Sequence, residues 1–95
     1  MVVVDRYDIQ PITKEMELCL PAGAKILAFK YERGGSYLWV LNEVGEEYER
    51  RKFILVSTNE VLPYTKNELV YICTFEANCV LHLFEVVDKL WRGEE

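Results

Sequence analysis

The stretch from Pro21 to Leu41 constrains the fold more than any other, because it joins runs of aromatic and aliphatic residues through the paired glycines Gly34 and Gly35. Such runs fit a pleated surface, and glycine takes the positive φ that a tight reversal demands. A β-hairpin is predicted: a leading turn at Pro21 to Gly23, a strand from Ala24 to about Glu32, a turn at Arg33-Gly34-Gly35-Ser36, and a strand from Tyr37 to Leu41. Leu27, Phe29 and Tyr31 share one face of it and Ile26 and Ala28 the other, while Tyr37, Trp39 and Leu41 oppose Leu38 and Val40. Both faces are apolar, which places the hairpin between layers or at a subunit interface.

The flanking segments continue the period of two. Val2 to Ile9 sets Val3, Asp5, Tyr7 and Ile9 against Val2, Val4, Arg6 and Asp8, and Pro11 ends it. Lys14 to Leu20 puts Met16, Leu18 and Leu20 opposite Glu15, Glu17 and Cys19, a strand with one wet face. After a turn at Asn42 to Gly45, Glu46 to Thr58 begins charged and becomes apolar at Phe53. Its charged half reads as an exposed strand end with cross-strand ion pairs. Asn59 to Glu68, with Pro63, is irregular and has room for one helical turn. Leu69 to Phe75 and Cys79 to Val86 make a second hairpin around Glu76-Ala77-Asn78, with Asn78 left-handed, Cys73 facing Leu81 and Ile72 facing His82. Val86, Val87, Leu90 and Trp91 fall at helical spacing, and a single turn must dock to persist, either on its own sheet or on a neighbouring subunit through Val87, Leu90 and Trp91. The expected fold is a mainly β, antiparallel single domain over residues 1–95. It has about six to seven strands, sandwich or half-barrel-like, with a short C-terminal helical turn in a docking segment at 87–95.

Composition excludes several functions. Ninety-five residues make one domain, and the net charge of −5 argues against duplex nucleic acid as a partner. No apolar run approaches a membrane span, and Val2-Val3-Val4 is too short for a signal-peptide core, so a cytoplasmic protein is expected. Cys19, Cys73 and Cys79 form an odd set without a close-spaced pair, which fits free, buried thiols in a reducing compartment. With His82 as the one histidine, no metal site and no cofactor are expected. The doubly apolar strands outnumber what one thin layer of this length covers, so a homo-oligomer is expected.

No catalytic pattern emerges. A nucleophilic enzyme needs a base, and His82 shares its strand face with Val70, Ile72, Val80 and Phe84, which favours an imidazole hydrogen-bonded beside the core. Glu43, Glu46, Glu47 and Glu49 crowd one turn but are solvated, and Gly34-Gly35 precedes no helix and so cradles no phosphate in the manner of a nucleotide-binding loop. The chain is therefore read as a binding protein and not an enzyme. Arg50, Arg51 and Lys52 stand beside Tyr48, and a meander would bring them to one rim with Lys30, Arg33 and Trp39. Guanidinium groups on phosphate and a ring under a base would suit a nucleotide there, whereas pairing with nearby glutamates would leave only a solvated surface.

Arg6-Tyr7, the run from Leu20 to Leu27 (Leu-Pro-Ala-Gly-Ala-Lys-Ile-Leu), Leu38 to Leu41, Phe53 with Val56-Ser57-Thr58, Tyr71 to Thr74 and Leu81 to Glu85 together resemble a family of short bacteriophage proteins of unknown function. The likeness covers about residues 5–86. Members of that family often carry Gly-Thr-Gly where this chain has Ser57-Thr58-Asn59. The resemblance implies phage origin and a compact antiparallel β fold, and it supplies no active site. A phage accessory protein without catalytic residues acts stoichiometrically, as a counter-defence protein that sequesters a host signalling nucleotide or blocks a host defence protein, or as a structural or adaptor protein of the virion or replication machinery. A small hydrolase using His82 is the remote alternative.

Overall fold

The computed structural model describes residues 1–10 and 12–87. Among these, seven strands form two antiparallel sheets that do not close into a barrel. Strands β1 (Val2–Asp8), β4 (Gly35–Glu43) and β3 (Lys25–Glu32) make a three-stranded sheet in the order β1-β4-β3. Strands β2 (Glu15–Pro21), β5 (Tyr48–Ser57), β7 (Val80–Val86) and β6 (Leu69–Glu76) make a four-stranded sheet in the order β2-β5-β7-β6. The mainly β class and the strand number are those expected from the alternation. A 3-10 turn at Lys66–Glu68 falls in the irregular segment where a helical turn had room, and the expected C-terminal turn lies outside the described residues.

Two of the changes of sheet turn on a glycine at positive φ. The leading turn at Pro21 carries the chain from β2 to β3: Ala24 N–H donates to the Pro21 carbonyl at 3.0 Å, and Gly23 supplies φ +76°. Beyond β4, Gly45 at φ +90° leads the chain back to β5. The β3–β4 hairpin turns on Arg33 and Gly34 (φ +54° and +79°), with Glu32 opposite Gly35, so the reversal is one residue earlier than Gly34-Gly35 suggests. Two central residues at positive φ give the turn whose twist matches the strands it joins. Strand β4 is also longer than predicted, running to Glu43, because it is central and is held by β1 on one side and β3 on the other.

The inner faces of the two sheets share one core. Ile9, Phe29, Leu38 and Val40 come from the three-stranded side and Met16, Leu20, Phe53, Leu55 and Leu83 from the other, all buried. The sheets join along β3 and β6, where the Phe75 ring lies 5.0 Å from Phe29 and 6.1 Å from Tyr31. A bulge between Ile26 and Ala28 corrects the predicted facing of β3: Ile26, Phe29 and Tyr31 reach the core, and Leu27 is turned out to 46% exposure. A second, smaller core explains why the apolar half of β5 is greasy on both faces. Ile54, Val56 and Val86 are covered by Leu62 and Tyr64 from the irregular segment, by Leu69 at the start of β6 and by Phe84 on β7.

The β6–β7 hairpin closes one residue later than predicted. Its loop is Ala77-Asn78-Cys79, with Thr74 opposite His82 and Cys73 opposite Leu83, and a bulge at Ile72. Among the described non-glycine residues only Arg33 and Asn59 have positive φ, so Asn78 is not left-handed. Asn59 itself takes φ +73° in the turn closed by Glu60 N–H on the Ser57 carbonyl at 3.1 Å. Asparagine tolerates that region better than other non-glycine residues, so Ser57-Thr58-Asn59 keeps a turn that glycine would also make. The cysteines are free, but they are not uniformly buried: Cys19 and Cys79 are exposed, and Cys73 is half-buried with its thiol pushed up by burial.

Candidate functional site

The three-stranded sheet presents an outer face whose residues follow directly from the pairing. Tyr37 and Trp39 alternate with the buried Leu38 and Val40, Arg6 lies opposite Trp39 on β1, and Lys30 lies opposite Tyr37 on β3. The Tyr37 and Trp39 rings stand 6.1 Å apart at 55°, and the Arg6 guanidinium sits 4.9 Å over the Tyr37 ring. With Glu32 and Arg33 these three side chains line an open depression of about 320 Å³. Gly35 shapes it, since a Cβ there would stand 2.7 Å from the Tyr37 hydroxyl, and its absence lets the ring lie down over the strand.

Three cations and two carboxylates surround this face of an otherwise acidic chain. Arg6, Arg33 and Lys30 face Asp8 and Glu32, and Arg6 Nε is 3.4 Å from the Asp8 carboxylate, an exposed pair that water screens. Arg33 occupies a left-handed position at φ +54° that Asn or Gly fills at lower cost. Strain of this sort persists where the surrounding structure holds it, and it clusters at functional positions.

The structure does not gather the seven predicted ligand residues on one rim. Lys30, Arg33 and Trp39 share the outer face just described. Tyr48, Arg50 and Lys52 lie on the outer face of the four-stranded sheet, across the core, where Arg50 is 3.7 Å from Glu17 and Lys52 is 3.8 Å from Glu15. Arg51 is on neither: strand alternation turns it inward, and it is buried. Its Nε and Nη2 donate to the Glu85 carboxylate at 2.6 and 2.7 Å, and Nη1 donates to the Ala24 carbonyl at 2.5 Å. The three adjacent cations therefore point to opposite faces. The cross-strand pairs expected of the charged strand end are made by Arg50 and Lys52, whereas Arg51, expected exposed with them, is buried. Of the predicted interface residues, Val87 is half-buried and donates its N–H to the Glu68 carbonyl at 2.8 Å, whereas Leu90 and Trp91 lie outside the described residues. Arg6 and Tyr37 were missed; the signal for them was the pairing of β1 with β4, which neither strand shows alone.

His82 projects from the outer face of the four-stranded sheet, opposite Thr74 and Val56. The ring nitrogens are each 2.9 Å from a threonine hydroxyl, Nδ1 from Thr74 and Nε2 from Thr58, and the Tyr71 hydroxyl extends the chain at 2.8 Å from Thr74. Cys73 faces the core from the other side of the sheet, so the two do not form a dyad. Among the described residues no group of three or more His, Cys, Asp or Glu is placed to hold a metal ion, and no helix is long and apolar enough to cross a membrane.

Fold and site together define a small open β-sandwich with an aromatic and arginine-bearing outer face. The chain belongs to the family described as a domain of unknown function (DUF7352), whose model matches residues 1–93. No curated protein and no solved structure matches it.

Proposed function

We propose that the protein acts stoichiometrically by binding, and that its ligand is a planar anion of the nucleotide kind held on the outer face of the three-stranded sheet. The observation that carries this reading is the Tyr37–Trp39 ring pair, 6.1 Å apart, beside the guanidinium groups of Arg6 and Arg33 in a depression of about 320 Å³. Aromatic rings stack any base, and arginine forks match phosphate oxygens. The resemblance to short phage proteins gives the reading its biological form: a phage accessory protein, working in the host cytoplasm, that sequesters a signalling nucleotide or blocks a host defence protein. An adaptor role is the second reading, favoured by the apolar Val2, Val4 and Leu41 that continue the same face.

Thermal unfolding against a panel of linear and cyclic nucleotides tests the proposal. A ligand present at a hundred times its dissociation constant adds about 2.7 kcal/mol to the folded state, and the melting temperature rises with it. Trp39→Ala should abolish the rise while the protein still unfolds cooperatively. No rise across the panel, together with a protein partner that Trp39→Ala releases, would move the reading to the adaptor.

A further inference from the structure

Two sheets offer four edge strands, and three of them carry features that discourage pairing with another chain. On β3 these are Lys25, Lys30 and the bulge at Leu27, on β2 Glu15, Glu17 and the closing Pro21, and on β6 the bulge at Ile72. The amino-terminal half of β1 has neither bulge nor charge nor proline. Its Val2, Val3 and Val4 are 60%, 41% and 55% exposed.

The bonds at either end of β1 show which backbone groups β4 leaves unused. Val44 N–H donates to the Met1 carbonyl at 2.8 Å, and Ile9 N–H donates to the Ser36 carbonyl at 2.9 Å, so the odd-numbered residues face β4. In an antiparallel ladder the N–H and C=O of Val2, Val4, Arg6 and Asp8 then point outward. We propose that this edge pairs with the same edge of a second copy of this chain, antiparallel about a two-fold axis through Val4.

Charge selects both the partner and the register. With Val4 opposite Val4 of the second copy, an apolar row runs Leu41, Val4, Val4, Leu41 across both molecules, and Arg6 lies opposite Val2 of the second copy. Val2 is flanked in its own sheet by Glu43, whose carboxylate accepts from the Met1 ammonium at 2.7 Å on one oxygen and stands about two strand spacings of 4.8 Å from that arginine, a gap the two side chains span across the valine. Sliding the pairing toward the carboxyl end sets Asp5 on Asp5 or Arg6 on Arg6, and sliding it the other way shortens the ladder. The contact is isologous and closes at two copies. Six strands then form one continuous sheet with both Tyr37–Trp39 depressions on its outer face. This inference does not depend on what those depressions bind.

Sedimentation velocity on the full chain at tens of micromolar tests it. The expected mass is about 22 kDa, twice the 11.2 kDa of one chain. Val4→Pro removes an N–H that makes no bond to β4, so it should give a folded monomer; Val4→Lys, which places a charge at the centre of the apolar row, should do the same if the proline variant fails to fold. Arg6→Glu should weaken the dimer, and Arg6→Glu with Glu43→Arg should restore it. A monomeric wild type, a dimer indifferent to both Val4 variants, or a double variant no tighter than Arg6→Glu alone would overturn the proposal.

Discussion

Arg51 stands in the sequence between two other cations, yet the fold gives it a different task. Its guanidinium is turned inward, where it ties β5 to Glu85 on β7 and to the Ala24 carbonyl at the start of β3, and so links the two sheets. Glu85 holds the guanidinium more firmly protonated than usual, against the opposing effect of burial. A buried pair of this kind contributes little net stability, but removing one partner strands a charge. Glu85→Leu should therefore cost about 3–5 kcal/mol in urea unfolding, and Arg51→Met with Glu85→Leu should recover most of it. Residue identity alone did not separate Arg51 from Arg50 and Lys52. The period of two did contain the answer, since Arg51 shares a parity with the core residues Phe53 and Leu55.

At the level of single elements, turns carry what the strands leave open. The β3–β4 turn holds Arg33 at φ +54°, so Arg33→Asn should raise stability by about 1 kcal/mol through a better-suited left-handed residue while weakening anion binding at the adjacent depression. Calorimetric unfolding and a ligand titration of the same variant check both signs; a gain in both would sever the strain from the site. The turn after β5 is pinned differently. Glu60 accepts from Lys14, which precedes β2, and from the Ser57 N–H at 3.0 Å, and these bonds, the lysine first, hold its carboxyl below the ordinary carboxylate range. A lowered native value means the unfolded chain takes up the proton first. The contribution is thus present above the ordinary range and fades as pH falls through the lowered value. The wild type should begin to lose its advantage over Glu60→Gln as pH falls below about 4.5, and a constant difference in melting temperature across pH 3–7 would contradict this.

For the molecule as a whole, alternation gave the strand count and, outside the bulged strands β3 and β6, told which residues share a face, because a half-buried strand must alternate. It did not tell which strands share a sheet. Both apolar faces of β4 were legible, but only the pairing with β1 shows that Leu38 and Val40 meet the core while Tyr37 and Trp39 look outward beneath Arg6. Bulges at Leu27 and Ile72 shifted register by one residue, a displacement no single-strand pattern records. The candidate site was half visible for the same reason: Lys30, Arg33 and Trp39 come from one hairpin, whereas Arg6 arrives from a strand distant in sequence. The proposal that this outer face holds a planar anion can be checked by a nitrogen-15 NMR titration with the nucleotide that most raises the melting temperature. Shift changes should be confined to the Trp39 indole and the backbone of Arg6, Arg33 and Tyr37; shifts centred on the face that carries Arg50 and Lys52, or none at saturating nucleotide, would rule it out.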